Sequence, residues 1–340
     1  MKKIKIAVVS ATGTAYKRTI PALKDSDVCE VVSVQGRNKA KLQKICDEYG
    51  IKSAYTDEKE MLTNEDYDLI YIANPPFMHY TSIVEATKTE KAIICEKPLD
   101  NNYKNALRIK ALLKEYPHPF MVAHHLRHQK AYDDIKTIIT TGKIGNVVET
   151  YSQWGFKLNT SASNALWKLE PSLGGEGTFS DNGIHIIDFI IGLFGVPMEV
   201  FGHCYSMGLP KIFDTEVAML CYKNKTVTLS ASQNTAFPGN GLFIYGTDGS
   251  IESYGAIGEK SIKTITLTTS QGKQVFEYPQ TNLYGAEVEN FIKHYFFGDK
   301  TANSGTNLQE AVDSLKIIEL LREANRNKKA YMFNNEYEKN

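Results

Sequence analysis

The fold class this sequence predicts is α/β: a doubly wound parallel sheet, then an α+β domain with a large open, mostly antiparallel sheet. Three observations carry it. Over the first third of the chain, short runs rich in Val and Ile alternate with amphipathic segments. After about residue 125 the pattern changes to closely spaced strand-like runs separated by turn residues. The 340 residues leave room for about two domains at ~150 residues each.

The first-part strands are 4–9, 28–35, 69–74, 92–95 and 120–123. They are apolar at most positions, as strands covered on both faces are. Between them lie helical segments 38–49, 81–87 and 102–113, and this spacing predicts parallel pairing. A further helix, 131–140, ends at Thr141-Gly142, with Gly142 as its C-cap. Strands are then expected at 146–156, 198–206, 217–222, 226–233, 242–246, 250–254, 262–268 and 274–278. Turn residues such as Lys223-Asn224-Lys225 and Gly246-Thr247-Asp248-Gly249 join them in hairpin fashion. Residues 184–194 form an apolar helix, and 286–296 and 308–326 are helical. In the last, Ala311, Leu315, Ile318 and Leu321 recur on one face. The expected domains are 1–124 and 125–333, followed by a polar, frayed tail at 334–340.

Composition narrows the function. Lys+Arg and Asp+Glu both number 39, which argues against a dedicated nucleic-acid or membrane-surface binder. Five scattered cysteines without a CxxC pair fit reduced thiols in a cytoplasmic protein. Lys5 interrupts the apolar run at the start, so a buried first strand is expected there and not a secretion signal. No stretch approaches ~18 apolar residues, so no membrane-spanning helix is expected.

The first strand runs into Ser10-Ala11-Thr12-Gly13-Thr14-Ala15-Tyr16 and then a helix. In that context a GxGxxG loop binds a pyrophosphate with backbone N–H groups. Here Ser10 stands at the first glycine, Thr12 at the second and Ala15 at the third. The loop reads equally as a dinucleotide site or as a tight strand–helix turn. The second strand ends at Gln35-Gly36-Arg37-Asn38, without the acidic residue that accepts from an NAD ribose. Arg37 offers a fork for a 2′-phosphate, so NADP is expected, with NAD as the alternative. A surface arginine at a strand end is the plainer explanation.

Two segments carry chemistry. Ile93-Ile94-Cys95-Glu96-Lys97-Pro98 sets a lysine at the carboxyl end of a buried strand, the edge where ligands bind in open parallel sheets. There Lys97 can polarise a substrate C–O bond; alternatively it snorkels to solvent. In Asp181-Asn182-Gly183-Ile184-His185-Ile186-Ile187-Asp188, helical spacing sets Asp181, His185 and Asp188 along one face. A histidine between carboxylates suits proton exchange with a hydroxyl. The alternative is an Asp N-cap beside a buried histidine.

Together these segments resemble the glucose–fructose oxidoreductase / inositol dehydrogenase / MocA family along nearly the full length. The carrying residues are Glu96-Lys97-Pro98 and Asp181-x-Gly183-x-His185-x-x-Asp188. Ile72-Ala73-Asn74-Pro75-Pro76-Phe77-Met78-His79, Gly142-Lys143-Ile144-Gly145, Trp167-Lys168 and Gly174-Gly175-Glu176-Gly177 support them. The resemblance implies a Rossmann domain followed by an α/β domain, with helix 308–326 packing back on the first. It implies that Lys97, Asp181 and His185 act together at the substrate. It also implies a homodimer or homotetramer formed through the open sheet.

The expected cofactor contacts are Ser10, Thr12, Gly13, Thr14, Ala15, Arg37, Asn74, Pro75, His79, Glu96 and Lys97, with Tyr16 flanking. The expected substrate contacts are Lys97, Arg127, Trp154, Asp181 and His185. His124-His125-Leu126-Arg127-His128 lacks the ligand types and spacing of a metal site, and no metal is expected. The reaction so implied is hydride transfer between NAD(P) and a secondary alcohol or ketone of a sugar, nucleotide-sugar or polyol. The alternative is an inactive nucleotide- or sugar-binding regulator on the same fold. Substrate choice would rest on loops 156–166 and 234–240.

Overall fold

The computed structural model describes residues 2–159, 163–209 and 211–333. The chain begins with β1 (Ile4–Val9), two short helices α1 (Thr14–Lys17) and α2 (Thr19–Leu23), and β2 (Cys29–Gln35). Then come α3 (Lys39–Tyr49), β3 (Ser53–Tyr55), α4 (Glu58–Asn64) and β4 (Leu69–Ile72). The run ends with α5 (His79–Thr87), β5 (Ala92–Glu96), α6 (Tyr103–Leu113) and β6 (Phe120–Ala123). β4 and β5 are buried throughout, which is why they read as continuous apolar runs. Asn38 caps α3 by accepting from Lys41 N at 3.0 Å, and Gly50, at φ 68°, closes it.

All six strands are parallel, in the order β3-β2-β1-β4-β5-β6. The winding reverses between β1 and β4. The loops leaving β1, β4 and β5 therefore open on one carboxyl edge, beside the switch point where such sheets bind ligands. The sequence expectation omitted β3 and α4. β3 has only three residues at the sheet edge. α4 is a short, charged helix that depends on its Asp57 cap, which accepts from Glu60 N at 2.9 Å.

The second part begins with α7 (Lys130–Thr140), β7 (Val147–Gly155), α8 (Pro171–Gly174) and α9 (Ile184–Phe194). Strands β8 (Glu199–Tyr205), β9 (Thr215–Cys221), β10 (Thr226–Ser232), β11 (Leu242–Gly246), β12 (Gly249–Ser253), β13 (Thr264–Thr269) and β14 (Gly272–Glu277) follow. Helices α10 (Leu283–Tyr295) and α11 (Leu308–Asn327) and the short β15 (Tyr331–Met332) complete the described chain. Nine strands form one sheet in the order β14-β13-β12-β11-β7-β10-β9-β8-β15. Only the β7–β10 pair is parallel. α9 is buried along residues 184–191, so its apolar residues face every direction, as in a core helix.

The chain divides into two compact units. The first comprises Met1–Asp100, Lys104–His128 and Asn282–Val312; the second comprises Asn101–Tyr103, Gln129–Thr281 and Asp313–Asn340. The helix that returns to the first unit is thus α10. A Cβ on Gly285 would stand 3.1 Å from Ala22 O of α2, so this glycine permits the close approach. The sequence placed the whole of 308–326 against the first domain. The boundary between the units falls within α11, after Val312, and in the second unit Leu321 presses on β8, where a Cβ on Gly202 would meet it at 2.4 Å. The expected tail at 334–340, and residues 160–162 of the loop 156–166, lie outside the described residues. Among the described residues no helix is long and apolar enough to cross a membrane.

Candidate active site

On the first unit the site starts at the turn after β1. Ser10 adopts φ 58°, the left-handed region in which glycine is unstrained and serine is not. Its N–H donates to Gln35 Oε1 at 3.0 Å, and the N–H of Ala11 donates to Gln35 O at 2.7 Å. Thr12 lies over Gly36: a Cβ on Gly36 would stand 3.0 Å from Thr12 Cγ2. Gly13 and Thr14 are exposed, and a Cβ on Gly13 would meet nothing within 4 Å. Ala15 is fully buried and lets α1 pack on the sheet. The single helix expected after this loop is instead two, broken at Arg18. Arg37 is exposed at the end of β2, with no ion-pair partner among the described residues.

At the end of β4, Asn74 donates from Nδ2 to Ser82 Oγ at 2.6 Å, and its buried Oδ1 has no hydrogen-bond partner among the described residues. Pro75 is half-buried, and Phe77 and Met78 are exposed beside it. His79, expected from the sequence to flank a cofactor, begins α5. It is 0% exposed. Its Nε2 lies 2.8 Å from Asn74 O, and its Nδ1 lies 3.0 Å from Pro98 O and 3.2 Å from Leu99 O. His79 therefore ties the β4 turn to the chain after Lys97. Burial lowers its pKa to about 4, against the raising pull of those carbonyls.

β5 delivers Glu96 and Lys97 to the same carboxyl edge. The Glu96 carboxylate is buried and accepts from Tyr71 Oη at 2.8 Å; Tyr71 accepts in turn from Thr19 Oγ1 at 3.1 Å. Glu287 of α10, 1% exposed, faces Glu96. Burial first, and the Glu96 charge second, push its carboxyl pKa well above the usual range. Lys97 is half-exposed, and the Lys97–Pro98 peptide bond is cis. Arg127 is buried and paired with Glu310 at 2.9 Å. His125 stacks on Tyr284 at 4.8 Å between centroids. His124 and His128 are buried too. Burial first, then the Arg127 charge, lowers both pKa values, that of His128 to about 3. Among the described residues no cluster of three or more His, Cys, Asp or Glu is placed to hold a metal.

The second unit holds the other chemical residues. Asp181 does not extend α9, as the i, i+4, i+7 reading had it. It lies in a π-helical turn, Phe179–Gly183, that leads into α9. Such wide turns recur at functional sites. Nor does Asp181 cap the helix: its carboxylate takes Lys168 Nζ at 2.8 and 2.9 Å and Gln233 Nε2 at 3.1 Å. His185, in the first turn of α9, is 4% exposed and stacks on Trp154 of β7, with centroids 5.3 Å apart and planes at 28°. The indole thus fixes the plane of the imidazole. Asp188 is fully buried in the same helix.

The structure thus gathers Ser10, Thr12, Gly13, Thr14, Ala15, Asn74, Pro75 and Lys97 on one sheet edge of the first unit. It gathers Asp181, His185 and Trp154 in the second unit. Sequence reasoning noted Lys168 only as part of a motif and missed Gln233 and Tyr71. Asp181 and Gln233 are 52 positions apart, so no local spacing reveals their contact.

Two family models match the chain. One, described as an oxidoreductase family with an NAD-binding Rossmann fold, covers residues 4–124; the other, the GFO/IDH/MocA C-terminal domain, covers residues 132–252. A 1,5-anhydro-D-fructose reductase of Ensifer adhaerens is 23% identical over 266 residues, 77% of this chain and 79% of that protein. A D-xylose 1-dehydrogenase (NADP(+)) of Haloferax volcanii is 22% identical over 320 residues, covering 93% of this chain and 96% of that one. The crystal structure of an aldose-aldose oxidoreductase from Caulobacter crescentus, complexed with glycerol, superposes with a TM-score of 0.88 at 18% identity. That match covers 98% of this chain and 100% of that one, and it speaks for the fold.

Proposed function

Since the chain belongs to the Gfo/Idh/MocA oxidoreductase family, we propose that it moves a hydride between NADP and a secondary alcohol or ketone of a sugar, nucleotide-sugar or polyol. The observation that carries this reading is the position of Lys97. It follows β5, next to the strand that flanks the β1/β4 switch point. A dinucleotide fits the residues of that edge. Among the described residues nothing fills the space beyond Gly13, and the buried Asn74 Oδ1 lacks a partner. The nicotinamide, when bound, supplies or takes up the hydride.

The chain's own residues do the rest. The exposed turn Gly13-Thr14 offers backbone N–H groups to phosphate, and Arg37 offers its fork to a 2′-phosphate. The Lys97 ammonium holds and polarises the reacting oxygen. His185, its ring plane fixed by Trp154, exchanges the hydroxyl proton. Asp181, held by Lys168 and Gln233, orients the substrate beside it. The names of the two curated relatives, a sugar reductase and a sugar dehydrogenase, support the substrate class.

The large apolar side chains on the outer face of the second sheet support a homo-oligomer through that face. Val148, Tyr151, Phe201 and Met219 are all exposed there. The free cysteines agree with a reducing, cytoplasmic compartment.

A second reading, a ligand-binding regulator without turnover, is favoured by one observation. The N–H groups of Ser10 and Ala11 are already taken by Gln35. Fluorescence titration with NADPH and NADH, then a sugar and polyol panel, separates the two. Binding of NADPH with turnover of at least one panel member is expected; binding of neither nucleotide would favour the regulator. Arg37→Ala should weaken NADPH about tenfold, roughly one charge-assisted contact, and leave NADH unchanged. Equal loss for both nucleotides would remove Arg37 from the 2′-phosphate.

A further inference from the structure

Glu216 and Arg322 form an ion pair inside the second unit, with side-chain exposures of 0% and 3%. Nothing in the proposed reaction requires charge there. A buried pair costs desolvation that well-packed apolar residues would avoid, so its presence points to orientation more than to stability.

Its contacts say what it orients. Glu216 Oε2, on β9, accepts the backbone N–H of Phe179 at 2.6 Å. Phe179 is the first residue of the π-turn. The amides on either side are satisfied by backbone carbonyls: Thr178 N donates to Phe213 O, and Ser180 N to Gly177 O, both at 3.0 Å. For Phe179 the carboxylate is the acceptor, reaching across 37 positions of sequence. Arg322, on α11, neutralises that carboxylate and fixes its own place through three further contacts. Its Nη1 donates to Cys204 Sγ at 3.2 Å. Its guanidinium lies 5.2 Å from the Phe213 ring centroid. Its Nε lies 3.7 Å from Glu176 Oε2. Arg322 thereby joins β8, β9 and the strip 176–178 that feeds the turn.

The packing leaves no slack between this pair and the chemical residues. A Cβ on Gly177 would stand 2.7 Å from Glu216 Oε2 and 2.9 Å from Arg322 Nη2. A Cβ on Gly183 would stand 2.3 Å from Phe179 Cδ1. The Phe179 ring therefore seats directly on Gly183, which lies between Asp181 and His185. A shift of Phe179 is passed on to both.

We propose that the Glu216–Arg322 pair is a positioning element that holds the π-turn, and with it Asp181 and His185, in the geometry the reaction uses. The inference rests on Asp181 and His185 being the reacting groups of the second unit. Neither Glu216 nor Arg322 touches substrate in this account; both act through Phe179.

The test uses the full-length protein, two variants and two readouts. Glu216→Gln removes the charge that Arg322 meets but leaves an oxygen for Phe179 N–H. Gly177→Ala leaves both charges and displaces the carboxylate. In each, amide hydrogen exchange across 177–184 is expected to speed at least tenfold, with 188–194 and 4–96 unchanged. Turnover is expected to fall at least tenfold, with NADPH affinity and the substrate KM within about twofold. Exchange unchanged at 177–184, or raised evenly through the second unit, overturns the proposal. So does faster local exchange with wild-type turnover, or global unfolding of both variants, which marks the pair as a plain stabiliser. Should the wild-type protein turn over nothing in the panel, the functional reading fails by itself; exchange at 177–184 then still decides whether the pair holds the turn.

Discussion

The surroundings of Lys97 and those of His185 use opposite electrostatics. Behind Lys97 burial moves titratable groups off their usual pKa values: the His79 ring, among three carbonyl oxygens, is lowered to about 4, and the Glu287 carboxyl is raised by burial and by Glu96. Around His185 charge meets charge: Lys168 is paired with Asp181, and Arg322 with Glu216. Buried groups with shifted pKa values make a support whose stability changes as pH moves through ordinary values. Paired charges make one that depends on side-chain length and placement instead. One half of the protein should thus respond to titration, the other to substitution.

The largest expected effect tests whether both halves serve one reaction. Lys97→Ala and His185→Ala should each lower turnover by about 10²–10⁴-fold, with little change in melting temperature for half-exposed Lys97 and a fall for buried His185, where a cavity forms. Steady-state NADPH oxidation beside thermal unfolding checks this. Near-normal turnover in either variant removes that residue from the chemistry.

Titration should act next, and on the first unit. Unfolded histidine titrates near ~6.5, whereas His79 in the folded chain titrates at about 4 and His128 at about 3. As pH falls below ~6.5 the unfolded state takes up protons that the folded state refuses, so stability drops until the folded pKa is reached. By pH ~4.5 the loss from His79 alone should be about 3 kcal/mol. Urea unfolding followed by a probe in the first unit would show it. Constant stability from pH 7 to 5 would mean that His79 is not held neutral.

The smallest of these effects has the opposite sign. Glu287 has a raised pKa, so its contribution is complete below the unfolded carboxyl pKa and declines as pH rises toward its own. Glu287→Gln removes that decline. The variant should melt at or above the parent at pH 8, and the two should converge near pH 4. A variant less stable than the parent at pH 8 would show that Glu287 works as a carboxylate.

Legibility in the sequence followed the range of the interactions. Elements with an internal signal were readable: β1, β6, β11 and α9 have the expected bounds. Lys97 was readable as the residue after a buried strand. The turn at Phe179–Gly183 was not, because a π-turn shifts the helical phase without changing residue types. The consequence was to set Asp181 on the wrong geometric footing. The burial of His79 was not legible either, because it depends on chain segments about twenty residues away. Glu216 and Arg322 lie on separate elements, and neither carries a local mark of its partner.

The parallel β7–β10 ladder has a consequence for synthesis of the chain. β7 is the first of the nine strands of its sheet to leave the ribosome, yet it lies between β11 and β10. Thr226 pairs with Glu149, so β7 waits for about 80 further residues, several seconds at ~5–20 residues per second. During that time Val147, Thr150, Ser152 and Trp154, buried in the finished fold, have no sheet neighbour. The strand that fixes His185 is thus the one in its sheet that waits longest for a paired neighbour during translation.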